Sequence, residues 1–130
     1  MPFYLTHLSA VVSVIAYLCA LALLATLHVL DPSDPVRTAV SDYANGSAAA
    51  YFLAYGLAGI AGALALAVAV WPLDAGWLAA VLAALGLLRL GILLWPTDPG
   101  GTAHSRAGRL HLLFAVVTFT LAYEVVSIGT

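Results

Sequence analysis

An all-α fold, a transmembrane four-helix bundle in one domain over residues 1–130, is what this sequence predicts, on three observations. The chain is 64% hydrophobic and only 8% charged, where a soluble domain is about 45–50% apolar and about 25% charged. Four apolar stretches are each long enough to cross a hydrocarbon core about 30 Å thick, which takes about 20 helical residues. The breaks between them carry proline, glycine and tryptophan. Lipid offers no hydrogen-bond partner to a bare backbone, so each stretch must be helical.

The first helix is expected over residues 7–30, without a formal charge, and stops at Asp31-Pro32-Ser33-Asp34-Pro35. Proline cannot continue a helix and disfavours helical geometry in the residue before it. The opening MPFYLTHLSA lacks the positive n-region of a secretory signal, so this helix reads as retained. Within the following connection, residues 36–43 are expected to form a short surface helix, and Asn45-Gly46-Ser47 reads as a turn. The second helix, over 47–71, is also uncharged. It ends in the tight turn Trp71-Pro72-Leu73-Asp74-Ala75-Gly76-Trp77, with tryptophans at the interface as in an aromatic belt. The third, over 77–95, carries Arg89 and ends at Trp95-Pro96-Thr97-Asp98-Pro99-Gly100-Gly101; the fourth, over 109–128, carries Glu124. Gly56, Gly59 and Gly62 on the second helix, and Ser9, Ser13, Ala16 and Ala20 on the first, are small-residue stripes suited to close helix packing. The single cysteine, Cys19, reads as a small core hydrophobe.

Four arginines, no lysine and a net charge of -2 provide no basic patch, which argues against a nucleic-acid partner. The lysine-free, Ala/Leu/Val/Gly-rich composition suggests a prokaryotic source. Arg37, Arg106 and Arg109 lie on the two long connections, whereas both termini and the Asp74 turn have no Arg or Lys. The positive-inside rule then places the long loops in the cytoplasm and both termini outside, in the cell's inner (plasma) membrane.

Polar groups concentrate at the loop end: His28, Asp31, Asp34, Ser41, Asp42, Tyr43, Arg89, Asp98, His104, Ser105, Arg106, Arg109 and His111 lie there, against His7, Asp74 and Glu124 at the other. Arg89 sits six residues before Trp95, about 9 Å deep at 1.5 Å per residue. It can snorkel to the headgroups, or turn inward to meet Asp31, Asp34, Asp42 or a ligand's phosphate or carboxylate. His104 and His111 share a helix face, but about 10 Å separates them along the axis, too long for a metal pair on one helix. Their bland reading is a polar helix start capped by Ser105, with His111 satisfied in the core. A divalent metal would have to draw on His28, His111 and an acid such as Asp31. Asp31, Asp34 and Asp98 also have an ordinary reading as turn aspartates. Glu124 is expected to snorkel or to hydrogen-bond another helix.

Val40-Ser41-Asp42-Tyr43 before an apolar helix, Trp95-Pro96-Thr97-Asp98 after one, and His104-Ser105 followed by Gly108 and His111 together resemble the DUF998 family of prokaryotic multi-pass membrane proteins. The resemblance spans about residues 30–111 and implies that Ser41, Asp42, Asp98, Ser105, Gly108 and His111 form one constellation. More distantly, the Ser-Asp element resembles Frag1/DRAM-type proteins, some linked to lipid processing. Members of the first family are often longer, with about six helices, so this chain is expected to form a homo-oligomer, most simply a dimer.

Three functions follow as expectations. The first is lipid-headgroup binding, or an assembly or regulatory role, with membrane lipid as partner and Arg89, Arg106, Ser41 and Tyr43 as the binding residues. The second is a metal-dependent hydrolase or transferase acting on lipid, with His111, Asp98, Ser105 and Asp42 catalytic and a divalent metal on His28, His111 and Asp31. The third is electron transfer through one haem b held by His28 and His111.

Overall fold

The structure, a computed structural model, describes residues 3–30, 39–98 and 103–128. Its elements in chain order are α1 (Phe3–Leu30), a 3-10 helix (Val40–Asn45), α2 (Ala49–Val70), α3 (Gly76–Leu94) and α4 (Arg106–Ile128). All four α-helices are long and apolar enough to cross a membrane. The described residues contain no strand, and the architecture is the expected all-α transmembrane bundle.

The helices pack in series: α1 along α2, α2 along α3, α3 along α4. Small residues set each contact. The buried Ser13 donates its hydroxyl to the Gly62 carbonyl at 3.0 Å, and the Tyr17 ring lies over Gly62. Gly56 receives Leu93, and Gly91 receives Phe114. The glycines of α2 therefore serve two partners, Gly62 facing α1 and Gly56 and Gly59 facing α3. The outer faces of α1 and α4 present Leu18, Leu21, Leu113 and Val116 outward, an exposed apolar surface of the kind a lipid-facing helix carries.

Two expectations are corrected. Cys19 is exposed, not in the core. The buried positions of α1 are Ser13, Ala20 and Leu27, spaced seven apart, and a step of about 100° per residue turns Cys19 off that stripe. The short helix between α1 and α2 is half-buried, with only Tyr43 fully inside and Asn45 exposed. It is a 3-10 helix shifted to Val40–Asn45, and residues 36–38 lie outside the described residues. Its Tyr43 is 1% exposed and packs with Leu27, Ala48 and Phe52, because Val40, Tyr43 and Ala44 present one apolar face to the end of the α1–α2 pair. Asn45 Nδ2 donates to the Thr97 carbonyl at 3.2 Å and so ties the two connections together. At the opposite end, Asp74 takes a left-handed conformation (φ 54°) in the turn before α3, a geometry aspartate tolerates better than most side chains.

Candidate functional site

The loop end gathers the C-termini of α1 and α3, the N-termini of α2 and α4, and the 3-10 helix. Two polar arrangements lie there, side by side.

The first closes the α3–α4 junction. Ser105 precedes the first residue of α4, and its hydroxyl oxygen accepts the Gly108 N–H at 2.9 Å, an N-cap bond. That same hydroxyl donates to Asp98 Oδ1 at 2.7 Å, while Asp98 Oδ2 accepts the backbone N–H groups of His104 and Ser105, each at 2.7 Å. A carboxylate at a helix start is also favoured by the helix dipole. Hydrogen bonds from the Ser105 hydroxyl and backbone hold the Asp98 carboxyl below its ordinary value of 3.8 against the opposing effect of desolvation, with lesser help from the His104 backbone N–H and the nearby His104 charge. A Cβ on residue 108 would run into this carboxylate, so glycine is required where Asp98 approaches α4. Asp98, Ser105 and Gly108 are thus committed to one another.

The second arrangement is a cavity of about 350 Å³ between α2, α3 and α4, roofed by the 3-10 helix. Phe52, Ile92, Leu93, Ala115 and Phe119 supply apolar wall; Arg89, Tyr55, Ser41 and His111 supply the polar groups. Arg89 turns inward rather than snorkelling. α3 runs toward the loop end, and helical side chains tilt back toward their N-terminus, so this one is aimed into the bilayer rather than out of it. The guanidinium lies against Gly59, where a Cβ would come within 3.1 Å, and Nη2 donates to the Tyr55 hydroxyl at 3.1 Å. Its carbon stands 5.5 Å from the centre of the Tyr55 ring, a cation–π distance. Among the described residues the Tyr55 hydroxyl is its only polar partner, and no carboxylate pairs with it.

His111 is buried on α4, its Nδ1 at 2.8 Å from the Trp95 carbonyl oxygen. A carbonyl only accepts, so Nδ1 carries the proton and donates; in the neutral ring Nε2 keeps its lone pair. A second cavity, of about 240 Å³, shares Ser41, His111, Ala39, Ala115 and Phe119 with the first and adds Asp42, Thr97 and Gly108. Asp42 Oδ1 and the Tyr43 hydroxyl are buried without a hydrogen-bond partner among the described residues.

The other candidates lie elsewhere. Arg106 and His104 are exposed at the start of α4. His28 Nδ1 donates to the Leu24 carbonyl one turn back at 2.7 Å, and its ring meets Tyr43 edge-on at 5.8 Å. It shares the loop end with His111 but lines neither of these cavities. Asp31, Asp34 and Arg37 lie outside the described residues, and among the described residues no three His, Cys, Asp or Glu side chains gather as a metal set. Glu124 is exposed on α4. Sequence reasoning missed Tyr55, Gly59 and the Trp95 carbonyl. Gly59 was visible as part of a small-residue stripe, but its pairing with Arg89 depends on the register of α2 against α3.

Four membrane-crossing helices with a polar cluster gathered at one end define a multi-pass integral membrane protein. The chain belongs to the family described as "Protein of unknown function (DUF998)", whose model matches residues 14–125, wider at both ends than the motifs that carry the resemblance. No curated protein and no solved structure matches it.

Proposed function

We propose that this protein binds a membrane phospholipid by its headgroup, in the cavity between α2, α3 and α4, with the phosphate on Arg89. The observation that carries the reading is the inward guanidinium with one neutral partner among the described residues. A cation held inside the bilayer costs at least about 2.5–3.5 kcal/mol at a helix centre, and less near an end. An anion in the cavity offsets that cost, and the planar fork of arginine matches a phosphate in two parallel hydrogen bonds. The remaining wall is apolar, as a site for an amphiphile requires. The three loop arginines, Arg37, Arg106 and Arg109, favour an orientation with this end in the cytoplasm.

A hydrolytic reading retains one specific support: His111, oriented by the Trp95 carbonyl, offers Nε2 as a base beside the Ser41 wall of the same cavities. Phospholipid turnover lost in His111→Gln, with lipid still retained, would move the protein from binding to catalysis.

The binding reading is tested by purification in mild detergent and measurement of co-purifying phospholipid. A stoichiometric lipid on the wild type, absent from Arg89→Gln at equal folded yield, is the expected result. Equal lipid on both proteins, or none on either, overturns it.

A further inference from the structure

The two cavities that meet at His111 differ in what they can accept. The first offers donors: the Arg89 guanidinium and the Tyr55 hydroxyl, whose oxygen already accepts from Arg89 and whose proton is free to be given. The second offers acceptors: the Asp42 carboxylate, one oxygen of which is buried without a partner among the described residues, and the Ser41 hydroxyl. His111, in the walls of both, adds the Nε2 lone pair that its Nδ1–H bond to Trp95 leaves free. Arg89 and Asp42 do not neutralise each other by contact.

Resting on the headgroup reading above, we propose that the site selects a zwitterionic phosphate bearing a primary amine, the chemistry of phosphoethanolamine. The phosphate takes the guanidinium, and the ammonium takes Asp42 and His111 Nε2. Three physical reasons favour this ligand over its neighbours. A purely anionic headgroup would satisfy Arg89 but set its remaining oxygens against the Asp42 carboxylate, and like charges repel strongly away from water. A quaternary ammonium has the charge but no N–H to give to His111 or Asp42, which would leave buried acceptors unmatched. A zwitterion adds no net charge to a site that already holds one cation and one anion, so neither is stranded in a low-dielectric wall.

The test is native mass spectrometry of the full-length protein in detergent, titrated in parallel with phosphatidylethanolamine, phosphatidylglycerol and phosphatidylcholine. The wild type is expected to prefer phosphatidylethanolamine over each of the others by about tenfold, the size of one well-placed charged hydrogen bond. Asp42→Asn, which keeps the shape and removes the charge, is expected to erase most of the preference over phosphatidylglycerol, while Arg89→Gln weakens all three lipids. Equal binding of the three lipids by the wild type overturns the proposal without any variant, and so does an Asp42→Asn protein that keeps the full preference. If Arg89→Gln binds all three lipids as tightly as the wild type, the headgroup reading itself fails. Added free phosphoethanolamine separates the sources. Displacement of the lipid marks a soluble zwitterion as sufficient, no displacement marks the lipid as the ligand, and both outcomes support the zwitterionic site.

Discussion

The α3–α4 junction and the cavity beside it are built from the same residue types to opposite effect. At the junction the Asp98 carboxylate accepts three hydrogen bonds, the Ser105 hydroxyl donates one and accepts one, and Gly108 is kept clear of side chain to admit them. In the two cavities that meet at His111, Arg89 has one neutral partner and the Asp42 Oδ1 has none among the described residues. A satisfied polar network rigidifies and specifies a fold; an unsatisfied buried one costs stability until something binds. The junction is therefore read as structure and the cavity as function, although the sequence motifs point most loudly at the junction.

The largest stability effect should come from Gly108→Ala. The added methyl collides with the Asp98 carboxylate, and overpacking of this kind costs about 1–3 kcal/mol, read as a lower thermal midpoint in detergent. Ser105→Ala removes the cap at a cost of about 1 kcal/mol, and its retained lipid should be unchanged; lipid loss as great as in Arg89→Gln would erase the division between junction and cavity.

Acid should act on the junction. The folded-state value of Asp98 lies below the ordinary 3.8. Its contribution is therefore complete above that ordinary value and fades as pH falls through the lower folded one, because the unfolded chain then binds the proton more readily. Thermal scans at decreasing pH should show an acid limb in the wild type that Asp98→Asn lacks.

The smallest effects belong to the cavity side. Arg89→Gln should leave ligand-free stability unchanged or raise it by about 1 kcal/mol while abolishing binding, since the desolvation cost of the charge it removes outweighs one hydrogen bond and one ring contact to Tyr55. Tyr43→Phe deletes a hydroxyl without a partner among the described residues and should leave stability unchanged or raise it by about 1 kcal/mol. A marked drop for Tyr43→Phe would mean that this hydroxyl is bonded in the membrane.

Much of the fold was legible because lipid enforces a simple grammar. Apolar length, and the breaks at Asp31-Pro32, Trp71-Pro72 and Trp95-Pro96, placed all four helices within a few residues of their observed ends. The helix starts were read less well: α4 begins three residues before the expected Arg109, at Arg106, because Ser105 rather than a change in hydropathy sets its N-terminus. Arg89, Ser41, Asp42 and His111 were legible as candidates, since polar groups in an oily chain demand an account. What they touch was not. That Arg89 meets Tyr55 and Gly59 follows from the register of two helices joined by the turn at Asp74, and no local pattern encodes it. Tyr43 looked like a site residue and is packed in the apolar layer over Leu27 and Phe52, because in a 3-10 helix one residue in three faces inward.

The account stands on a phosphate at the Arg89 guanidinium. Solid-state NMR of arginine-labelled protein in phospholipid bilayers, with nitrogen signals dephased by phosphorus, measures that contact directly. One arginine in hydrogen-bonding proximity to phosphorus, whose signal disappears in Arg89→Gln and persists in Ser105→Ala, is the predicted result. An Arg89 signal that phosphorus leaves undephased, with contacts confined to the exposed Arg106 and Arg109, would contradict it.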